Sequence, residues 1–280
     1  MQTSLSDWTG SRLSLTRQGT TAIVRLFNPP HGLMDESMES ELTQALDSLE
    51  AWKDGRVVII TGAEPGMFVR HYDVAVLQKR SLAMIERGKS FSIDRPVPRS
   101  AIHLCIERIE NSPLIFIAAL NGTAMGGGFE LALSCDIRLA QNGDHQLGLP
   151  ELNLGLLPGA GGTQAMSALI GTGPALFSLL TAKVFSPQEL LSAGLVSSCT
   201  HDVMAEAMRL ASQIENVPFR ACANIKRLVR NAPRWTHAEG MAAERTLFCD
   251  CMVDPHAKPL MDDVVSGNRT IADQPTRLKA

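Results

Sequence analysis

Two short, unbroken apolar runs set the first limit on what this chain can fold into. Residues 56–61 read RVVIIT and residues 113–120 read PLIFIAAL. Runs of this length, without polar alternation, are the pattern of strands covered on both faces. Residues 11–17 and 20–27 alternate and carry β-branched side chains, so they read as two earlier strands, closed by the breaker NPPHG. Residues 36–53 place Met38, Leu42, Ala45, Leu46 and Leu49 on one helical face, and 100–110 is a second helix-compatible stretch. Strands alternating with helices through the first 120 residues predict ββα or βαβ units, hence an α/β core with right-handed connections. From about residue 163 the chain turns mostly helical, with candidate helices over 173–181, 187–193, 202–215, 218–230, 235–252 and 256–266. No internal repeat or low-complexity segment interrupts this order.

The 280 residues, 45% hydrophobic and 20% charged, suffice for a sizeable buried core. A net charge of −3 offers neither a nucleic-acid footprint nor a polybasic membrane patch. The first residues, MQTSLSDWTGSRLSL, lack the basic and apolar regions of a signal peptide, and the eight residues of PLIFIAAL cannot span a bilayer. Six cysteines lie scattered, with one CxC at Cys249–Cys251 and no zinc-type spacing. They read as structural or incidental thiols in a reducing compartment, so the expectations are no metal site and a cytoplasmic location.

A second feature carries chemistry. In NGTAMGGGFELALSCD, residues 121–136, Gly126, Gly127 and Gly128 precede a helical segment, with Glu130 two residues on. A helix starting there leaves backbone N–H groups unpaired at the positive end of its dipole. Three readings follow. A dinucleotide cradle would need the GxGxxG order, which is absent, although Asp144 stands near the usual acidic offset within the turn QNGD. The glycines could instead serve close packing alone. Or they could form an oxyanion hole, a free N–H stabilising charge on a carbonyl oxygen. The last reading needs a nearby acid or base and a second donor. Glu130 is one such acid; Glu151, in LGLPELNLGLLPGAGGTQ, is another. Flanked by Leu149 and Leu152, Glu151 could be partly desolvated, which raises a carboxyl pKa and suits a general acid; taken by itself, the residue reads equally as a solvated loop residue or a helix cap.

Taken together, ALNGTAMGGGFELALSCDIRLA, LGLPELNLGLLPGAGGTQ, SPQELLSAGLV, VVIITGAEPGMF and ANIKRLV resemble, in order and at suitable spacing, the enoyl-CoA hydratase/isomerase (crotonase) family. The resemblance implies an α/β fold: a crotonase-like spiral of ββα units over residues 1–200, followed by a helical trimerisation domain over 201–280. It implies a homotrimer or homohexamer, an acyl-CoA or acyl-carrier thioester substrate, and no cofactor beyond the coenzyme A of that substrate. Carried over by position, Gly127 is one oxyanion donor, and Glu130 and Glu151 are the two catalytic glutamates. In hydratases that pair holds water against the double bond, one assisting attack at the β-carbon and the other delivering a proton to the α-carbon. Hydration or dehydration of a 2-enoyl thioester, as in fatty acid metabolism, is therefore the expected reaction. Double-bond isomerisation, thioester hydrolysis, or a binding role in a catalytically weak homologue are the alternatives.

The other donor segment departs from the family pattern F-x-A-G-A-D, reading Phe68-Val69-Arg70-His71-Tyr72-Asp73. Tyr72 takes the donor position, and its N–H is available as that of any non-proline residue. His71 replaces the glycine and would be strained if the position required φ > 0. His71, Tyr72 and Phe68 are expected to shape the acyl channel, with direct acid–base work by the imidazole as the alternative for His71. Residues 74–100 form a longer segment than the family pattern leads one to expect; a loop there could cover the acyl pocket, the alternative being that its basic residues form a solvated face.

Overall fold

The structure is a computed structural model describing residues 5–273. Its strands are β1 (Trp8–Thr9), β2 (Leu13–Gln18), β3 (Thr21–Leu26), β4 (Val57–Gly62), β5 (Gly66–Val69), β6 (Ile115–Leu120), β7 (Gly122–Met125), β8 (Ile137–Gln141), β9 (Leu147–Gly148), β10 (Val184–Phe185) and β11 (Ser198–Thr200). The helices are α1 (Glu36–Ala51), α2 (Val74–Glu86), α3 (Ala101–Asn111), α4 (Gly127–Ser134), α5 (Gly162–Ile170), α6 (Thr172–Leu180), α7 (Pro187–Ser192), α8 (Val203–Glu215), α9 (Phe219–Asn231), α10 (His237–Met252) and α11 (Ala257–Val265).

The two apolar runs become β4 and β6, parallel neighbours within a seven-stranded sheet ordered β1-β2-β3-β4-β6-β8-β11. Every residue of both strands is buried. Their side chains divide by strand alternation. Val58, Ile60, Phe116, Ala118 and Leu120 enter the main core, while Val57, Ile59, Ile117 and Ala119 meet Val203, Ala207 and Ala211 of α8 on the other face. Thus α8, though it lies beyond residue 200, shares a core with the sheet.

A second sheet, ordered β10-β9-β7-β5, was not apparent from hydrophobic pattern. Its strands are two to four residues long, and glycine occupies Gly66, Gly122 and Gly148 within them. Strands so short hold by pairing rather than by periodicity. Consequently β6 does not turn directly into the glycine-rich helix. It bends at Asn121 into β7, which delivers the chain to α4. The Asn121 side chain clamps this bend to the matching one after β4, accepting from Gly62 N at 2.9 Å and donating to the Gly62 and Glu64 carbonyls. Two successive strand–bend–strand passages, β4-β5 and β6-β7, therefore lie side by side and present their ends to one place.

Helix α1 is capped by Asp35, whose carboxylate accepts from Met38 N at 2.9 Å. It buries Met38, Leu42, Ala45, Leu46 and Leu49 as the spacing predicts, and also Glu39. Helix α4 is buried from Gly128 to Ser134, as suits a helix apolar all round. Helix α9 is tied to the core by Lys226, whose ammonium donates to the Ile109 and Leu114 carbonyls and pairs with Asp136 at 2.8 Å. No residue of α10 or α11 is buried. Among the described residues, no helix is long and apolar enough to cross a membrane.

Candidate active site

The chain leaving β5 runs beside Met34. Met34 N donates to His71 O at 2.9 Å and Asp73 N donates to Met34 O at 2.8 Å, a parallel bridge centred on Tyr72. In that pattern the N–H of Tyr72 points away from Met34. Asp73 then caps α2 by accepting from Ala75 N. Among the described non-glycine residues only Ala182 has positive φ, so His71 sits in an ordinary backbone conformation and carries no such strain. Its Nδ1–H donates to the Tyr72 carbonyl at 2.8 Å, which leaves Nε2 as an acceptor.

The three glycines have three different jobs. Gly126 holds φ at 51°, and its N–H donates to Gly148 O. A Cβ on Gly128 would lie 2.3 Å from the Val69 carbonyl oxygen, so α4 packs directly on the backbone of β5. Gly127 opens the helix, and its N–H has no intrahelical partner. A Cβ there would stand 3.7 Å from Tyr72 Cβ and 3.5 Å from Met34 Sδ, so the two candidate donors are neighbours with room between them.

Glu130 projects from the first turn of α4 and is buried. Its Oε1 accepts from Ala160 N at 2.7 Å and Gly162 N at 2.8 Å. Burial pushes its carboxyl up, and these two N–H groups oppose the shift. They belong to the loop PGAGG, which His103 holds in place. The His103 Nε2–H donates to Gly159 O, and its Nδ1 accepts from Ser100. Glu151 begins a short 3-10 turn, Glu151–Leu154. Burial pushes its carboxyl up to about 7, with the Glu130 charge adding to the effect. Leu149 is buried as expected, but Leu152 is half exposed; the glycine turn contributes to the seclusion instead, a Cβ at Gly126 lying 3.2 Å from Glu151 Oε1. Glu151 Oε2 is shielded from solvent and has no hydrogen-bond partner among the described residues.

His71, Tyr72, Gly126, Gly127, Glu130 and Glu151 all border one cavity of about 610 Å³. Phe68 does not. It is 2% exposed on β5 within the main core, and so supports the site from behind rather than lining the acyl channel. The long segment contributes through Val74, Leu77 and Arg80 of α2, whereas residues 88–99 lie exposed outside the cavity lining. Sequence reasoning missed Glu39, Arg80, Ser100 and His103, which also line the cavity. For Glu39 a signal existed: it falls three residues before Leu42 on the apolar face of α1, where a charge is out of place. Burial and the Glu39 carboxylate push the Tyr72 phenol up. Among the described residues no cluster of His, Cys, Asp and Glu has the geometry to hold a metal ion.

A helix N-terminus facing a second free N–H, with two secluded carboxyls beside them, defines a site able to carry out acid–base chemistry on a carbonyl compound. The chain belongs to the enoyl-CoA hydratase/isomerase family, whose model matches residues 16–262. It is 32% identical over 238 residues to a short-chain-enoyl-CoA hydratase of Clostridium acetobutylicum, covering 84% of this chain and 82% of the relative. The fold matches a crystal structure of an enoyl-CoA hydratase from Geobacillus kaustophilus with a TM-score of 0.84 at 25% identity, over 97% of this chain and 98% of the other. It also matches Pseudomonas aeruginosa DspI with a TM-score of 0.80 at 27% identity, over 95% and 97% of the two chains.

Proposed function

We propose that the protein is an enoyl-CoA hydratase, adding water across the double bond of a 2-enoyl-CoA thioester and catalysing the reverse dehydration. The observation that carries this reading is the pair of carboxyls, buried Glu130 and half-buried Glu151, on the same cavity as Tyr72 and Gly127. The thioester oxygen binds between the N–H groups of Tyr72 and Gly127. Both donors favour the transition state, because negative charge moves onto that oxygen as water attacks. Glu130, whose carboxylate form the N–H groups of Ala160 and Gly162 favour against the burial that pushes it up, takes a proton from water as the water oxygen bonds to the β-carbon. The double-bond electron pair moves into the enolate. Glu151, protonated up to about pH 7 by its seclusion, then gives its proton to the α-carbon. The proton left on Glu130 returns to Glu151 through solvent, which resets the pair.

Two acids in place favour hydration over double-bond isomerisation, thioester hydrolysis or a binding role alone. Coenzyme A enters as part of the substrate, and no separate cofactor takes part. The reaction belongs to fatty acid metabolism in the cytoplasm. The exposed apolar residues Phe248, Met252, Val264 and Val265 of the terminal helices support assembly as a homotrimer, or a pair of trimers, through the 201–280 region. The test is to incubate the purified protein with a panel of 2-enoyl-CoA thioesters and follow both conjugation absorbance and free thiol. Loss of absorbance without thiol release is expected. Thiol release would make the protein a hydrolase, and no change with any chain would contradict catalysis on enoyl-CoA.

A further inference from the structure

Glu130 depends on a loop that little else holds. Its Oε1 accepts from Ala160 N at 2.7 Å and from Gly162 N at 2.8 Å. That loop, PGAGG at 158–162, is rich in glycine, and a Cβ built at Gly159 or Gly161 meets nothing within 4 Å. Packing at these two positions therefore does not keep the N–H groups aimed. Apart from the first turn of α5, three hydrogen bonds tie residues 157–162 to the rest of the described chain. Two are those to Glu130, and in the third His103 Nε2–H donates to Gly159 O at 2.7 Å.

His103 is itself fixed by its own helix. Its Nδ1 accepts from Ser100 N at 3.2 Å and lies 2.7 Å from Ser100 Oγ. A backbone N–H only donates, so Nδ1 carries no proton and Nε2 carries one, as the bond to the Gly159 carbonyl requires. Both ring nitrogens are then engaged, and neither is left to act on a substrate, although the ring borders the cavity. The other titratable and charged groups are placed differently. Glu151, on the 3-10 turn, sets a like charge near Glu130. Glu39 of α1, with His71, Tyr72 and Arg80 from the chain after β5, borders the same cavity. Glu107, one turn along α3 from His103, is paired with Arg99. Among the described residues the hydrogen bonds to the Glu130 carboxylate come from the loop alone.

We propose that His103 is a positioning residue for the catalytic base: through Gly159 O it holds the 158–162 loop so that Ala160 and Gly162 keep their N–H groups on Glu130, and Glu130 stays ionised. The proposal rests on the hydratase reading. Without this clamp the loop shifts, Glu130 loses the donors that oppose its burial, and its carboxyl moves further up. A general base works only when ionised. On going to lower pH, kcat/KM therefore begins to fall at a higher pH than in the wild type.

The experiment records pH profiles of kcat and kcat/KM for hydration of a 2-enoyl-CoA thioester by the wild type, His103→Phe and His103→Gln, with each fold checked by circular dichroism. Phenylalanine keeps a ring but loses both hydrogen bonds. His103→Phe should lose ~10- to 100-fold in kcat at neutral pH with KM little changed, and its acidic limb should lie at higher pH. Glutamine donates to Gly159 O and, at the third helical position, accepts from Ser100 N as in a capping box, without titrating. His103→Gln should thus restore most of the rate and the wild-type limb. An acidic limb unmoved in His103→Phe, or one that vanishes in His103→Gln because His103 itself titrates, overturns the proposal and leaves the hydratase intact. Nitrogen NMR of the wild-type imidazole needs no variant: a proton on Nε2 is expected, and a proton on Nδ1 overturns the clamp. Absence of hydration by the wild type overturns the hydratase reading and this role with it.

Discussion

Replacing Glu151 by glutamine should make the protein more stable at alkaline pH while removing its activity. The reasoning starts from the carboxyl that seclusion pushes from 4.5 up to about 7. At about 1.4 kcal/mol per pH unit, the charged form carries at most ~3 kcal/mol of desolvation penalty in the folded state. The side chain keeps some contact with water, so screening reduces this to ~1–2 kcal/mol. The sign follows from proton counts. Between 4.5 and about 7 the folded protein holds a proton at Glu151 that the unfolded chain has released. Its contribution to stability is thus present below the unfolded value and is lost as pH rises through that window. Glutamine does not titrate. Urea denaturation at pH 5 and pH 8 should therefore show wild type and Glu151→Gln nearly equal at the lower pH, and the variant ahead by ~1–2 kcal/mol at the higher. Hydration should fall by about 10²–10⁴ in the same variant. A stability difference that does not change with pH would mean that Glu151 is not desolvated, and the general-acid assignment would lose its physical basis.

The same carboxyl predicts that kcat/KM for hydration declines as pH rises through about 7, where Glu151 loses the proton it must deliver, which a pH–rate profile checks. Gly127→Ala should fold normally, its Cβ meeting neighbours at 3.5–3.7 Å, yet lose about 10²–10³ in rate by crowding the oxyanion slot; Gly128→Ala, with a contact of 2.3 Å to a backbone oxygen, should instead melt lower or fail to fold, and melting curves beside rates separate the two. Lys226→Met leaves the Ile109 and Leu114 carbonyls without their ammonium donor, while Asp136 keeps Arg230 and the Phe116 N–H, so it should cost about 1–3 kcal/mol by urea denaturation.

Legibility in the sequence followed the range of the interactions. Gly127, Glu130 and Glu151 stand in local motifs, where a strand end, a glycine turn and a helix start dictate what neighbours what. The buried strands β4 and β6 were equally plain, because burial on both faces writes itself as an unbroken apolar run. The second sheet left no such trace: β9 and β10 are two residues each, and their existence depends on partners distant in sequence. The seclusion of Glu151 was anticipated, but not that part of it comes from the turn at Gly126 rather than from Leu152. Phe68 was placed in the channel because it flanks Tyr72 in the chain, whereas on β5 its side chain joins the core. His103 is the clearest omission. It reaches the Gly159 carbonyl, 56 positions away, and only the tertiary fold brings that loop to Glu130.

The most direct test of the central claim is hydration of a 2-enoyl-CoA in deuterated water by the wild type and by Glu130→Gln and Glu151→Gln. Wild type should yield a 3-hydroxyacyl-CoA with one deuterium at the α-carbon and no free thiol. Each variant, with its fold checked by circular dichroism, should lose about 10²–10⁴ in rate. Near-wild-type hydration by both variants would contradict the account, because the two carboxyls would then not be the groups that move the protons.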